Sequence, residues 1–316
     1  MGAVVSLGSI NVDKINRVSA PEIAELRGRY DWFPDRGQTV EVDDIPTDFP
    51  TDPDRIRHGG KGANQAVAAA RAGAQTEMLG KVGPDHNAFG VLEHLTTSGV
   101  STNQVGISSK PTGTATVFVN PEGDNWIVVQ SGANGTIDEA YIYERYDTIL
   151  SAECLLLQNE IPIEPVSVLL SDLATEPDRP IIILDPAPAE DVEELLSHDV
   201  IDYLTPNETE YRALKPFLGE FDGVLVRKRG GDDVIVENER RFTSSPPTVQ
   251  ATDTTGAGDV LNGFVAAHLA RGAPLQEAIE IGTIAGSLST RTEGARTGIP
   301  TIEDVRTYRA SGDAGV

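Results

Sequence analysis

Short apolar runs and longer amphipathic ones alternate along most of this chain. Val4–Leu7, Leu155–Leu157, Ile181–Leu184, Ile201–Leu204 and Gly223–Val226 are nearly continuous in apolar residues, as strands covered on both faces are. Helical spacings lie between several of them, such as Pro165–Leu173 and Val192–Leu196. This alternation predicts an α/β fold, with a central mostly parallel sheet between helical layers. Two stretches break the rhythm. Residues near Gln38–Arg57 and Thr112–Gln130 read as antiparallel strands, and Pro121-Glu122-Gly123-Asp124-Asn125 reads as a hairpin turn between Ala115–Val119 and Trp126–Gln130. Ile23, Leu26 and Tyr30 are spaced for a short helix, and the tail after Tyr308 is expected to fray.

Composition narrows the class. The 316 residues suffice for one large α/β domain or two small ones, and no repeat or linker divides them, so a single domain over 1–316 is expected. No run is long and apolar enough to span a membrane, and Met1–Ile10 lacks a basic leader segment, so a cytoplasmic setting is expected. Cys154 stands alone in an apolar run and reads as a buried strand residue, which removes disulfides and cysteine metal clusters. The five histidines show no metal spacing, and His268 reads as a satisfied core residue. There are 49 acidic against 25 basic residues, a net charge of −24. Such a surface repels nucleic acid and anionic membranes. The acids are dispersed rather than collected in a tail, which reads as adaptation to high salt and predicts a halophilic source.

The chemistry concentrates in two glycine clusters. In Asp253-Thr254-Thr255-Gly256-Ala257-Gly258-Asp259, two glycines flank one small residue and an apolar helix follows at once. Backbone N–H groups of Gly256, Ala257 and Gly258 converge there on an anion site, with the Asp259 carboxylate at its rim. An anion hole beside a potential base suits transfer of a phosphoryl group to a hydroxyl. The second cluster, His58-Gly59-Gly60-Lys61-Gly62-Ala63-Asn64-Gln65-Ala66, leads into an alanine-rich helix ending near Gly73. Neither is a G-x-x-x-x-G-K-[ST] loop. On its own, Asp259 could equally be a helix cap, Asn11 and Asp13 turn residues, and Lys61 a solvated loop lysine.

Together with Gly8-Ser9-Ile10-Asn11-Val12-Asp13, Asp185-Pro186-Ala187-Pro188-Ala189 and Thr205-Pro206-Asn207-Glu208-Thr209-Glu210, in this order, the two clusters resemble the ribokinase family of PfkB-type sugar kinases over nearly the whole chain. The resemblance implies a ribokinase-like α/β/α domain with a small β-sheet lid from segments at about 14–58 and 110–131, which often also makes a homodimer contact. It implies transfer of the γ-phosphoryl of ATP to the terminal hydroxymethyl of a small sugar, D-ribose above all, with Asp259 as general base and Gly256–Gly258 as anion hole. A ketohexokinase, fructokinase or nucleoside kinase would share these residues, and a catalytically silent sugar-binding regulator would share the scaffold.

By the same resemblance, Asn11, Asp13, Gly60, Lys61, Asn64 and Glu160 contact the sugar, while Asn207, Lys228, Gly230 and Thr283 contact the nucleotide. Glu210 acts indirectly on Mg²⁺, and Asp253, Thr255, Ser289 and Gly294 hold an activating K⁺. Lys228-Arg229-Gly230-Gly231-Asp232-Asp233 departs from the family's nucleotide-base pattern, and Ser19–Arg36 is inserted in the lid. Arg291, Arg296 and Arg306 read as surface or nucleotide-edge charges.

Overall fold

The computed structural model describes residues 2–46, 48–50, 53–238 and 240–311. Its centre is a nine-stranded sheet built on Ala3–Leu7, which pairs in parallel with Cys154–Gln158 on one side and Gln75–Leu79 on the other. The parallel series continues outward from Cys154–Gln158 through Ile181–Asp185, Tyr203–Leu204 and Val224–Arg227. Val234–Glu237 and Arg241–Ser244 then close that edge antiparallel. Alternate residues of the buried strands feed two cores. Val4, Leu156, Ile183 and Val226 pack with the helices Lys61–Arg71, Ala257–Leu269 and Leu275–Ser289. Val5, Leu155, Ile182 and Leu184 pack with Ile163–Leu173 and its neighbours on the opposite face. Helices on both faces of a mostly parallel sheet are what the apolar rhythm predicts.

The second sheet has five strands, in the order Thr39–Glu41, Asn125–Gln130, Gly113–Val119, Asn11–Arg17 and Arg55–Gly59. It is the expected lid, with one correction. Asn11 and Asp13 do not end the first strand; that strand stops at Leu7, and Asn11 opens a lid strand running parallel to Gly113–Val119. The 121–125 turn joins an antiparallel pair as expected, whereas Thr39–Glu41 joins Asn125–Gln130 in parallel.

The inserted segment forms the helix Ala20–Arg29, with Ser19 and Glu22 in a capping box. Ile23, Leu26, Tyr30, Phe33 and Phe49 pack on Phe118, Trp126 and Val128, giving the lid an aromatic core of its own. Asp13 pairs with Ala115 and Asn16 with Phe118, so strand alternation puts this core on the sheet face opposite Asp13. At the C-terminus the last helix, Ile302–Ser311, runs three residues past Tyr308, and the rest of the tail expected to fray, 312–316, lies outside the described residues. Among the described residues no helix is long and apolar enough to cross a membrane. Cys154 is buried in its strand, and burial pushes its thiol up. The His268 ring bonds the Phe264 carbonyl at 2.8 Å.

Candidate active site

Two helices point their N-termini at one cleft. Gly60 precedes Lys61–Arg71 with φ +88°, and a Cβ there would lie 2.7 Å from the Asn11 nitrogen and the Ser9 carbonyl oxygen. Gly256 precedes Ala257–Leu269 with φ +76°, and a Cβ there would lie 2.8 Å from the Ala295 Cβ. Both positions therefore require glycine. The Val260 N–H closes the first helical bond on the Gly256 carbonyl, and the Ala257 N–H reaches Thr254 O at 3.2 Å. The N–H groups of Gly256, Gly258 and Asp259 find no backbone acceptor among the described residues and are open to an anion.

Asp259 is 3% exposed. Its Oδ2 accepts from Asn64 Nδ2 at 2.9 Å and its Oδ1 from Gln65 Nε2 at 3.1 Å. Gln65 also donates to Asp185, which accepts from Lys228 Nζ at 2.9 Å and Asn262 Nδ2 at 3.0 Å. Asp185 ends its strand at the carboxyl edge of the sheet, the usual ligand edge of such folds. A buried network thus runs from Asp259 to Lys228.

The expected sugar contacts gather on the lid side. Asn11 accepts from Asn134 Nδ2 at 2.6 Å. Burial pushes the Asp13 carboxyl up from 3.8 to about 6; Arg296 pulls it down and Glu160 raises it. Glu160 accepts from Ser9 Oγ and from the Lys61 backbone N–H at 3.0 Å, so it caps the helix N-terminus. Burial raises its carboxyl, against the pull of Lys61. Lys61 is no solvated loop residue. Burial disfavours its charge, but Asp259, Asp185, Glu160 and Glu210 outweigh that and hold its ammonium well above the ordinary value.

The expected nucleotide residues line a cavity of about 590 Å³ with Asp259: Asn207, Lys228, Gly230 and Thr283 all face it. A parallel bridge joins Asn207 to Lys228. Asn207 Oδ1 accepts from Thr209 and Glu210 N–H, while Glu210 accepts from the Asn207 N–H at 2.7 Å. Asn207 and Glu210 thus form a capping box at the start of the helix Glu208–Leu214. Glu210 and Asp185 both face the cavity. Two carboxylates lining one cavity with Gly256 and Gly258 have the oxygen donors that suit a hydrated Mg²⁺. Among the described residues no cluster of three or more His, Cys, Asp or Glu forms a self-contained metal cage.

Asp253 ties together the loops expected to hold K⁺. It accepts from the N–H of Thr255 at 2.9 Å and of Gly294 at 2.8 Å. Burial raises this carboxyl, but those bonds prevail and its pKa is lowered. Ser289 is buried nearby, with its Oγ on Gly286 O. Each Asp253 oxygen is thus already engaged by a backbone donor. Arg57 of the lid stands 3.9 Å from Asp253 and 2.6 Å from Glu293, to which Arg55 also bonds at 3.2 Å. These ion pairs link the lid to the same loop.

Arg296 overturns its sequence reading as a surface or nucleotide-edge charge. It is 4% exposed and donates from Nε to Asn64 Oδ1 at 2.7 Å and from Nη2 to the Gly59 carbonyl. An arginine in a Gly-Ala-Arg-Thr-Gly turn carries no sequence signal for burial; only the fold brings it under the lid. Gln65 and Asp185 lie in motifs the sequence offers but carry no site role there, and Gln158 has no sequence signal beyond following an apolar run.

Known proteins share this arrangement. The pfkB family carbohydrate kinase profile matches residues 54–302. The ribokinase of Bacillus subtilis is 39% identical over 286 residues, covering 87% of this chain and 92% of its own. The structure of Thermotoga maritima ribokinase superposes with a TM-score of 0.78 at 28% identity, covering 98% of this chain and 99% of that one. Arabidopsis thaliana ribokinase, solved with ribose and ATP, superposes with a TM-score of 0.73 at 25% identity, covering 97% of each chain.

Proposed function

The chain belongs to the pfkB family of carbohydrate kinases, and we propose that it is an ATP-dependent ribose kinase that phosphorylates the terminal hydroxymethyl of D-ribose. The observation that carries the mechanism is the meeting of one buried carboxylate, Asp259, with the unpartnered N–H groups at the start of its own helix. Asp259 takes the proton of the acceptor hydroxyl as its oxygen attacks the γ-phosphorus in line. The N–H groups of Gly256 and Gly258 receive charge on the transferring phosphoryl oxygens, and the ammonium groups of Lys61 and Lys228 flank them.

Asn11, Asp13 and Glu160 orient the sugar, Asp13 accepting from vicinal hydroxyls when ionised. Asn207, Lys228, Gly230 and Thr283 hold the nucleotide. When bound, Mg²⁺ would be held through its water shell by Glu210 and Asp185 and would supply charge neutralisation at the nucleotide phosphates. K⁺ beside Asp253, Thr255, Ser289 and Gly294 would stiffen the anion-hole loop. The lid segments, at about 14–58 and 110–131 within a single domain, close over the sugar and exclude water. A homodimer formed through this lid would use its open edges, Thr39–Glu41 and Arg55–Gly59, because the face away from Asp13 is filled by the chain's own aromatic core.

Asp259→Asn tests the reading. The kcat with ribose is expected to fall roughly 10²- to 10⁴-fold while ATP affinity by calorimetry holds. Retained turnover would refute the general-base role.

A further inference from the structure

Two side-chain amides turn their NH₂ groups toward Asp259. Either could present its oxygen instead by a half-turn, setting oxygen against carboxylate. Each is fixed by a further partner. Gln65 Oε1 accepts from Gln158 Nε2 at 2.8 Å. Asn64 Oδ1 accepts from Arg296 Nε at 2.7 Å, which leaves Asn64 Nδ2 for Asp259. The two cases differ in kind. Gln158 is itself an amide and could rotate, whereas a guanidinium only donates. Asn64 cannot turn without setting two donors face to face and its oxygen against Asp259.

The placement of Arg296 is costly. It is 4% exposed, its Nη1 is buried without a partner, and its hydrogen bonds among the described residues go to Asn64 and the Gly59 carbonyl, not to a carboxylate. Burial lowers its pKa to about 10, against the support of Asp13 and Asp259 at longer range. A buried cation outside any direct ion pair destabilises the fold. Filling space under the lid would call for an apolar side chain. The geometry that only an arginine supplies is the simultaneous grip on the Gly59 carbonyl and the Asn64 oxygen.

We propose that Arg296 is a positioning residue for phosphoryl transfer, acting through Asn64 to hold the Asp259 carboxylate in its reactive orientation. This rests on the reading of Asp259 as the base. The test compares Arg296→Met, Arg296→Lys, Asn64→Ala, the Asn64→Ala/Arg296→Met double variant and Asp259→Asn in the full chain, with ribose and ATP.

Arg296→Met is expected to lower kcat roughly 10- to 100-fold with the KM for ATP unchanged, the cost of a slightly misplaced reacting group. Arg296→Lys should recover part of that loss, because an ammonium still donates to Asn64. The double variant should be no slower than Asn64→Ala alone, since both changes cut one relay. Unchanged kcat in Arg296→Met, or multiplicative loss in the double variant, would overturn the proposal. If the Met variant does not fold by circular dichroism, Arg296→Lys decides alone: reduced kcat at unchanged KM for ATP supports the relay, and wild-type kcat overturns it. Should Asp259→Asn stay active, the base reading falls whatever Arg296 does. An inactive Asp259→Asn beside a fully active Arg296→Met removes the relay only.

Discussion

At the residue scale the site is a set of carboxylates held in different environments. Asp13 titrates in an accessible range. Its carboxyl is raised from 3.8 to about 6 by burial, with Arg296, Glu160, Arg57 and Asp259 as the charges around it. The folded protein therefore takes up a proton near pH 6 that the unfolded chain takes up only near 4. The contribution of Asp13 to stability rises as pH falls through that window and is lost as pH rises through 6. The proposed sugar contact runs the other way, because a protonated Asp13 would no longer accept two hydroxyl bonds. The KM for ribose is expected to climb as pH drops below about 6, and Asp13→Asn should flatten that limb. A limb that persists in the variant would assign it to another group. Asp13 was visible in the sequence through its motif, but its shifted titration was not, because burial comes from lid residues distant in the chain.

At the element scale the two glycine-led helix starts were legible because each motif pairs a conformational demand with a polar residue directly after it. Gly256→Ala would force a side chain into φ +76° and against Ala295. It is expected to destabilise the fold by about 1–3 kcal/mol and to lower kcat further by closing the anion hole. Thermal melting and steady-state kinetics on one preparation check both effects. The Asn207–Glu210 capping box was also legible, as S/T/D/N-x-x-E before a helical run. Asn207→Ala should cost about 1 kcal/mol of stability from the cap alone, read as a lower Tm. The lid strand Asn11–Arg17 was missed. Its sequence, Asn-Val-Asp-Lys-Ile-Asn-Arg, is polar at most positions, and its pairing partner lies a hundred residues away. Local periodicity cannot report a strand stabilised by a distant neighbour.

For the molecule as a whole, a charge of −24 on 316 residues favours expansion at low ionic strength. Raising KCl toward 1 M shortens the screening length to about 3 Å, so Tm is expected to rise by several degrees. A flat response would remove the reading of high-salt adaptation. Exchanging K⁺ for Li⁺ at fixed ionic strength separates this bulk effect from occupancy beside Asp253, since only the latter changes kcat. The aromatic packing of Tyr30, Phe33, Phe49, Phe118 and Trp126 has a mechanical consequence. The proposed closure would therefore move a packed unit rather than order a loop. Ribose would then work against rotation alone, with little chain entropy to extinguish, and amide hydrogens in that unit should exchange slowly with or without ligand.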